Sequence, residues 1–218
     1  MTRVKICGLR TRADVAAAAQ AGAAYAGFVF FPPSPRHITT GDAVWIAGGL
    51  PEGILKVALT VDADDELLAA ILEAMPIDIL QLHGKESPER VAEIRTRFSR
   101  PVMKAVGVGS EADLPALDAY AQVCDQILVD ARPAPEAELP GGNGIAFDWR
   151  LIQGRRWRRP WMLAGGLTPE NVAEAIRLTG ATQVDVSSGV ESAPGRKDHE
   201  KIAAFVAAAT GRAPSEGR

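Results

Sequence analysis

A thiol and a carboxyl group each close an apolar run: Cys7 ends Val4-Lys5-Ile6-Cys7, and Asp130 ends Ile127-Leu128-Val129-Asp130. A cysteine so placed is either a small buried hydrophobe or a functional thiol. A carboxylate that finishes an apolar strand needs partners, so Asp130 either caps a turn or works in a pocket. Cys124, by contrast, ends the helix-like segment Tyr120-Ala121-Gln122-Val123-Cys124 and reads as core. Arg36 follows Phe31-Pro32-Pro33-Ser34-Pro35, where proline fixes φ and stiffens the chain. Such a loop suits a forked donor held out for a carboxylate or phosphate; a surface arginine on a rigid turn is the alternative. Three glycine-rich spots, Gly141-Gly142-Asn143-Gly144, Gly165-Gly166 and Ser187-Ser188-Gly189, each read alone as a tight turn. Together, in late strand–helix loops, they form an expected phosphate cradle, because backbone N–H groups and hydroxyls donate there without a bulky side chain in the way.

The elements that must position these groups are legible as periodicity. Short β-branched runs predict strands at 3–7, 26–30, 55–60, 77–83, 101–106, 126–130, 161–164 and 183–187. Alanine-rich amphipathic segments predict helices at 14–21, about 41–48, 64–75, 88–98, 111–120, 169–179 and 197–208. Ser87 and Ser110 stand as N-caps, Thr168-Pro169 as an N-cap with proline at the first helical position, and Gly22, Gly180 and Gly211 as left-handed stops. Eight strand–helix alternations predict an α/β protein with a closed eight-stranded parallel sheet, a single (βα)8 TIM barrel over residues 1–210. Residues 211–218 are expected to be a frayed tail. The rival, an open doubly wound sheet, would carry a glycine fingerprint straight after the first strand, where this chain has Cys7-Gly8-Leu9-Arg10.

In a barrel the chemistry sits at the C-terminal strand ends. Period-two alternation puts Cys7 on a face with Lys5, His83 with Gln81, Asp130 with Leu128, and Ser187 with Asp185. Closure makes the first and last strands neighbours, so Lys5 and Asp185 are expected to pair, offsetting the cost of burying either alone.

The 218 residues are 47% hydrophobic and 23% charged, which suits a globular chain and excludes a disordered one. Twenty-four Lys and Arg against 27 Asp and Glu leave a net charge of −3, without the basic excess of a dedicated nucleic-acid binder. The cluster Arg155-Arg156-Trp157-Arg158-Arg159-Pro160-Trp161 therefore reads as a local basic connector. Two cysteines suit a reducing, cytoplasmic setting and exclude a disulfide scaffold. No apolar run reaches the ~20 residues that span a bilayer, none near the start is long enough for a signal peptide, and no spacing resembles a metal site.

Val4-Lys5-Ile6-Cys7-Gly8-Leu9, Ser34-Pro35-Arg36, Leu80-Gln81-Leu82-His83-Gly84, Leu128-Val129-Asp130, Phe147-Asp148-Trp149, Leu163-Ala164-Gly165-Gly166-Leu167, Asp185-Val186-Ser187-Ser188-Gly189-Val190-Glu191 and Gly195-Arg196-Lys197-Asp198 closely resemble the phosphoribosylanthranilate isomerase family, in family order and over nearly the whole chain. The resemblance implies a cofactor-independent (βα)8 barrel of tryptophan biosynthesis, monomeric or homodimeric, acting on a small molecule. Its reaction converts N-(5-phosphoribosyl)anthranilate to the 1-deoxyribulose phosphate by an Amadori rearrangement. Carried over by position, Asp130 is the general acid, Cys7 the general base, and Arg36 the holder of the anthranilate carboxylate. His83 and Asp185 position the sugar, and Gly142, Gly165, Gly166, Ser188 and Gly189 hold the phosphate. Where the family commonly has Gly-Gly-Thr-Gly and then a polar residue, this chain has Asn143 and Ile145, which keeps the backbone donors and changes the side chains. Of the rivals on this scaffold, the histidine-pathway isomerase resembles it with an aspartate in place of Cys7. A metal-dependent epimerase would need clustered histidines, whereas of His37, His83 and His199 only His83 ends a strand. A non-catalytic phosphate-binding barrel would keep Arg36 and the late glycines with no need of Cys7 and Asp130 together.

Overall fold

Eight strands run parallel around one axis: β1 (Arg3–Cys7), β2 (Tyr25–Phe30), β3 (Leu55–Thr60), β4 (Ile79–Leu82), β5 (Val102–Val108), β6 (Gln126–Ala131), β7 (Trp161–Leu163) and β8 (Gln183–Val186). Each pairs with the next and β8 returns to β1, so the sheet is a closed barrel. The computed structural model describes residues 1–132, 141–142, 144 and 146–211; Asn143, Ile145 and the tail 212–218 lie outside the described residues. Among the described residues seven helices surround the barrel: α1 (Arg12–Ala21), α2 (Thr40–Ala47), α3 (Asp65–Ala74), α4 (Pro88–Phe98), α5 (Leu114–Ala121), α6 (Val172–Thr179) and α7 (His199–Thr210). Between β6 and β7 the described residues hold only a 3-10 turn, Trp149–Ile152. No helix among them is long and apolar enough to cross a membrane.

Both faces of a barrel strand are buried, which is why these runs read as near-continuous apolar stretches. Val57, Ile79, Met103, Leu128 and Met162 fill the barrel interior, while their neighbours Ala58, Leu80, Val102, Val129 and Leu163 pack under the helices. Each fully buried aliphatic side chain there contributes about 1.5–3 kcal/mol. The N-terminal end is plugged by polar groups that satisfy one another. Tyr25 Oη donates to Gln183 Oε1 at 2.5 Å, Gln126 Nε2 donates to the same oxygen at 3.2 Å, and Gln183 Nε2 reaches the Trp161 carbonyl at 3.3 Å. Only the C-terminal end is left for a ligand.

Part of the basic cluster packs at the plugged end, while Arg156 and Arg158 are exposed. Trp157 stacks on Trp161 with ring centroids 4.3 Å apart, Arg155 pairs with Asp118, and Arg159 donates to the Ala121 carbonyl. Ser87 caps α4, and Gly22, Gly180 and Gly211 stop helices with positive φ, as their types require. Three expectations need correction. Thr168-Pro169 does not open a helix: Asn171 accepts the Thr168 N–H at 2.8 Å and donates to the Gly166 carbonyl at 2.9 Å, so this segment forms a turn and α6 starts at Val172. Ser110 caps only the 3-10 turn Glu111–Asp113, and α5 starts beyond it with Pro115 in its first turn. Lys197 is not helical. It lies in a two-strand hairpin, β9 (Glu191–Ala193) with β10 (Arg196–Lys197), and Asp198 caps α7.

Candidate active site

Strand alternation lifts one inward-facing side chain per strand to the open rim. Cys7, His83, Asp130 and Asp185 line one cavity, with Arg36 entering from the β2–α2 loop and an apolar wall from Val29, Phe31, Leu59 and Val61. Asp130 and Asp185 are shared with an adjoining recess floored by Gly142, Gly165, Gly166, Ser188 and Gly189. All ten residues expected from the sequence thus gather in one depression with an apolar half and a donor-rich half.

The β1–β8 register sets Lys5 opposite Asp185, and Lys5 Nζ donates to Asp185 Oδ1 at 3.0 Å. Lys5 is completely buried, Asp185 nearly so. Burial alone would lower the lysine's pKa, but the influences of Asp185 and of Cys7 together outweigh it and raise the value. Cys7 lies one pleat above. Burial pushes its thiol up, and the nearby Lys5 ammonium, together with the Lys197 charge, pulls it back only in part. Cys124 is the contrast: it is buried among apolar side chains with its Sγ 3.2 Å from the Gln126 carbonyl, away from the cavity.

Asp130 Oδ1 accepts the Ala131 N–H at 2.8 Å, while Oδ2 lies 3.2 Å from His83 Nε2. The other ring nitrogen, Nδ1, lies 3.0 Å from the Gln81 side-chain nitrogen. Gln81 is fully buried and its Oε1 has no partner among the described residues, a deficit that typically costs about 1–3 kcal/mol. The glycine loop closes over this pair: a Cβ on Gly141 would stand 2.6 Å from His83 Nε2 and 2.9 Å from Asp130 Oδ2. Gly165 is equally constrained, with φ of +84° and room for a Cβ only 2.5 Å from the Ala131 nitrogen.

Arg36 is no surface residue. It is 5% exposed, and its fork closes on Glu191, Nε to Oε1 at 2.8 Å and Nη2 to Oε2 at 2.9 Å. Nη2 also reaches the Gly142 carbonyl at 3.3 Å, and Nη1 lies 2.6 Å from where a Cβ on Gly142 would stand. Lys197 donates to Glu191 at 2.9 Å and to the Ser187 carbonyl at 2.9 Å. Glu191 and Lys197 went unassigned in the sequence because each is 150 or more positions from Arg36 and their meeting depends on barrel closure. Lys104, also unassigned, is buried outside the barrel, pairs with Glu86 at 2.9 Å, and donates to the carbonyls of Leu82 and Gly84 on either side of His83.

Burial alone would raise the Glu191 carboxyl, but hydrogen bonds from Arg36 and the Lys197 charge outweigh it and hold the group below the ordinary glutamate range. The folded chain therefore takes up this proton less readily than the unfolded one. The stabilisation is complete above the unfolded value of about 4.3 and is lost as pH falls through the folded value. Thermal unfolding midpoints of wild type and Glu191→Gln are expected to converge as pH is lowered below about 4.3. A separation that stays constant down to pH ~3 would assign the acid sensitivity elsewhere.

Among the described residues no three His, Cys, Asp or Glu side chains gather as a metal ion would require. The family model for N-(5'-phosphoribosyl)anthranilate isomerase matches residues 4–208. An N-(5'-phosphoribosyl)anthranilate isomerase of Cereibacter sphaeroides is 67% identical over 207 residues, covering 95% of this chain and 98% of that protein. The crystal structure of phosphoribosyl anthranilate isomerase from Thermotoga maritima superposes with a TM-score of 0.87 at 39% identity, covering 97% of this chain and all of that one. A further isomerase structure, in complex with reduced 1-(o-carboxyphenylamino)-1-deoxyribulose 5-phosphate, gives 0.84 at 38% identity over 97% and 100% of the two chains. With a family model spanning nearly its whole length and relatives of this identity, the chain belongs to the N-(5'-phosphoribosyl)anthranilate isomerase family.

Proposed function

We propose that this protein converts N-(5'-phosphoribosyl)anthranilate to 1-(o-carboxyphenylamino)-1-deoxyribulose 5-phosphate, a step of tryptophan biosynthesis, by an Amadori rearrangement. One observation carries the reading: a thiol and a carboxyl group 123 positions apart line a single cavity that is apolar on one side and opens on a glycine cradle on the other. An aromatic amino sugar phosphate has the same division.

Asp130, protonated, donates to the ribose ring oxygen; the C1'–O4' bond breaks and the nitrogen lone pair forms C1'=N. Cys7, as thiolate, removes the C2' proton, the electron pair moves into C1'=C2', and the resulting enolamine tautomerises to the ketone. The oxidation of C2' and reduction of C1' balance within the substrate, so the reaction as written calls for no cofactor. Lys5 supplies the positive charge that a thiolate in this buried place needs. The N–H groups around Gly142, Gly165, Gly166, Ser188 and Gly189 hold the phosphate. His83 and Asp185 position the sugar, and Arg36, oriented by Glu191, offers Nη1 to the anthranilate carboxylate.

The test is the loss of phosphoribosylanthranilate fluorescence on turnover. Activity that survives unchanged in both Cys7→Ala and Asp130→Ala would sink the mechanism and favour a binding barrel. Arg36→Ala is expected to raise KM by about 10-fold or more with a smaller fall in kcat, because anchoring a carboxylate is mostly uniform binding. Equal losses in kcat and kcat/KM would contradict that role.

A further inference from the structure

We propose that Gln81 is a positioning residue that sets the protonation of the Asp130–His83 pair, its amide oxygen turned to His83 Nδ1 in the state that carries the proton Asp130 donates. The inference rests on the reading of Asp130 as the acid. Gln81 and His83 are stacked on one face of β4, and Gln81, His83 and Asp130 form a chain of contacts of 3.0 and 3.2 Å up the barrel interior. Gln81 itself touches neither the cavity nor solvent.

A neutral imidazole has one N–H and one bare nitrogen, so what Gln81 presents to Nδ1 decides what Nε2 presents to Asp130. A half-turn of the amide exchanges its donor and acceptor ends with almost no change of shape. With the NH2 group against Nδ1, that nitrogen is bare, Nε2–H donates to Asp130, and the aspartate is held as a carboxylate. The amide oxygen is then the orphaned buried atom. With the oxygen against Nδ1, that nitrogen carries the proton and Nε2 accepts from a carboxylic acid. The pair then holds one more proton, which can sit on Oδ2 or Nε2 across the 3.2 Å contact. Only this second arrangement keeps an acid ready for the ring oxygen. Once the proton has been given up, bare Nε2 faces a carboxylate, and the amide turns back as the ring proton moves to Nε2. Among the described residues, the charged and titratable groups facing the same cavity are Cys7 from β1, Arg36 from the β2–α2 loop, Asp185 from β8 and Arg132 beyond β6.

The experiment reads the ring nitrogens of His83 by 15N NMR between pH ~6 and ~8, assigned with His83→Gln against the two other histidines, alongside pH profiles of kcat. In the wild type Nδ1 is expected to carry the proton. Gln81→Glu, which can only accept, moves the alkaline limb of kcat up by about one pH unit. Gln81→Met, which conserves volume and cannot pair, moves it down by about as much and lowers kcat with little change in KM. A bare Nδ1 with Nε2–H throughout that range, or an alkaline limb unmoved in both variants, overturns the proposal. Failure of the underlying acid assignment is a separate outcome, read as full activity in Asp130→Asn, because the nitrogen signals report on Gln81 without turnover.

Discussion

Asp130→Asn and Cys7→Ala are each expected to lower kcat by about 10²–10⁴-fold, the usual worth of one positioned proton transfer. Asparagine keeps the shape and the Ala131 contact while removing the transferable proton, so its loss isolates acid catalysis from packing. The two groups act in successive steps, ring opening and then C2' deprotonation. Each variant slows its own step, and the slower step governs turnover. The double variant should therefore fall little below the worse single variant. A loss that multiplies the two single effects would place both groups in one transition state and would contradict the stepwise scheme. Single-turnover measurements of substrate fluorescence provide the check.

The second large effect lies beneath the thiol. Lys5→Met removes the cation from a pair in which Lys5 is fully buried and Asp185 nearly so. Leaving one charge of a buried pair uncompensated typically costs about 3–5 kcal/mol. Asp185 borders the open cavity, where solvent can reach its carboxylate, so the lower end of that range applies. Urea unfolding should show the loss, and adding Asp185→Asn should recover most of it. No recovery would mean that the lysine stem, not its charge, carries the stability. Because pairing raises the Lys5 pKa, the folded chain keeps this proton more tightly than the unfolded one. Its contribution is complete below the unfolded value of about 10.4 and disappears as pH rises through the folded value. The same substitution removes the largest influence holding the Cys7 thiol down. In a Cys124→Ser background, the pH at which iodoacetamide alkylates Cys7 should shift upward; an unchanged profile would deny Lys5 any part in forming the thiolate.

Local pattern carried the elements. The eight β-branched runs lie within a few residues of the eight strands, and Gly22, Gly180 and Gly211 stop helices where their φ freedom predicts. Two of the three misplaced starts have a local cause in nearby side-chain contacts. Around Thr168-Pro169 the Asn171 side chain bonds the Gly166 carbonyl and closes a turn, and Lys197 is held in the hairpin by Glu191. Those contacts outweigh local propensities worth a few tenths of a kcal/mol.

The site divides in the same way. Residue type and strand position single out Cys7, His83, Asp130 and Asp185, because a polar group ending an apolar barrel strand can face little other than the rim. Apart from the Lys5–Asp185 pair, expected from closure of the sheet and found at 3.0 Å, what each group is bonded to was not legible. Arg36 reads from its stiff loop as a free fork, and the hairpin bearing Glu191 takes most of that fork, leaving Nη1. Gln81 reads as one more inward side chain, and its link to His83 and Asp130 appears only when β4 and β6 are curved around a shared interior.

The sequence by itself determined the barrel, the order of its strands and the identities of the rim groups, since these follow from periods of two and 3.6 residues and from the cost of burying polar atoms. Only the tertiary structure decided the pairings Arg36–Glu191 and Lys104–Glu86, and gave the expected Lys5–Asp185 pair the distance that sets the electrostatics of the thiol. Coulomb and hydrogen-bond energies depend on distances of a few ångströms, and between residues up to 180 positions apart those distances are fixed by closure of the sheet.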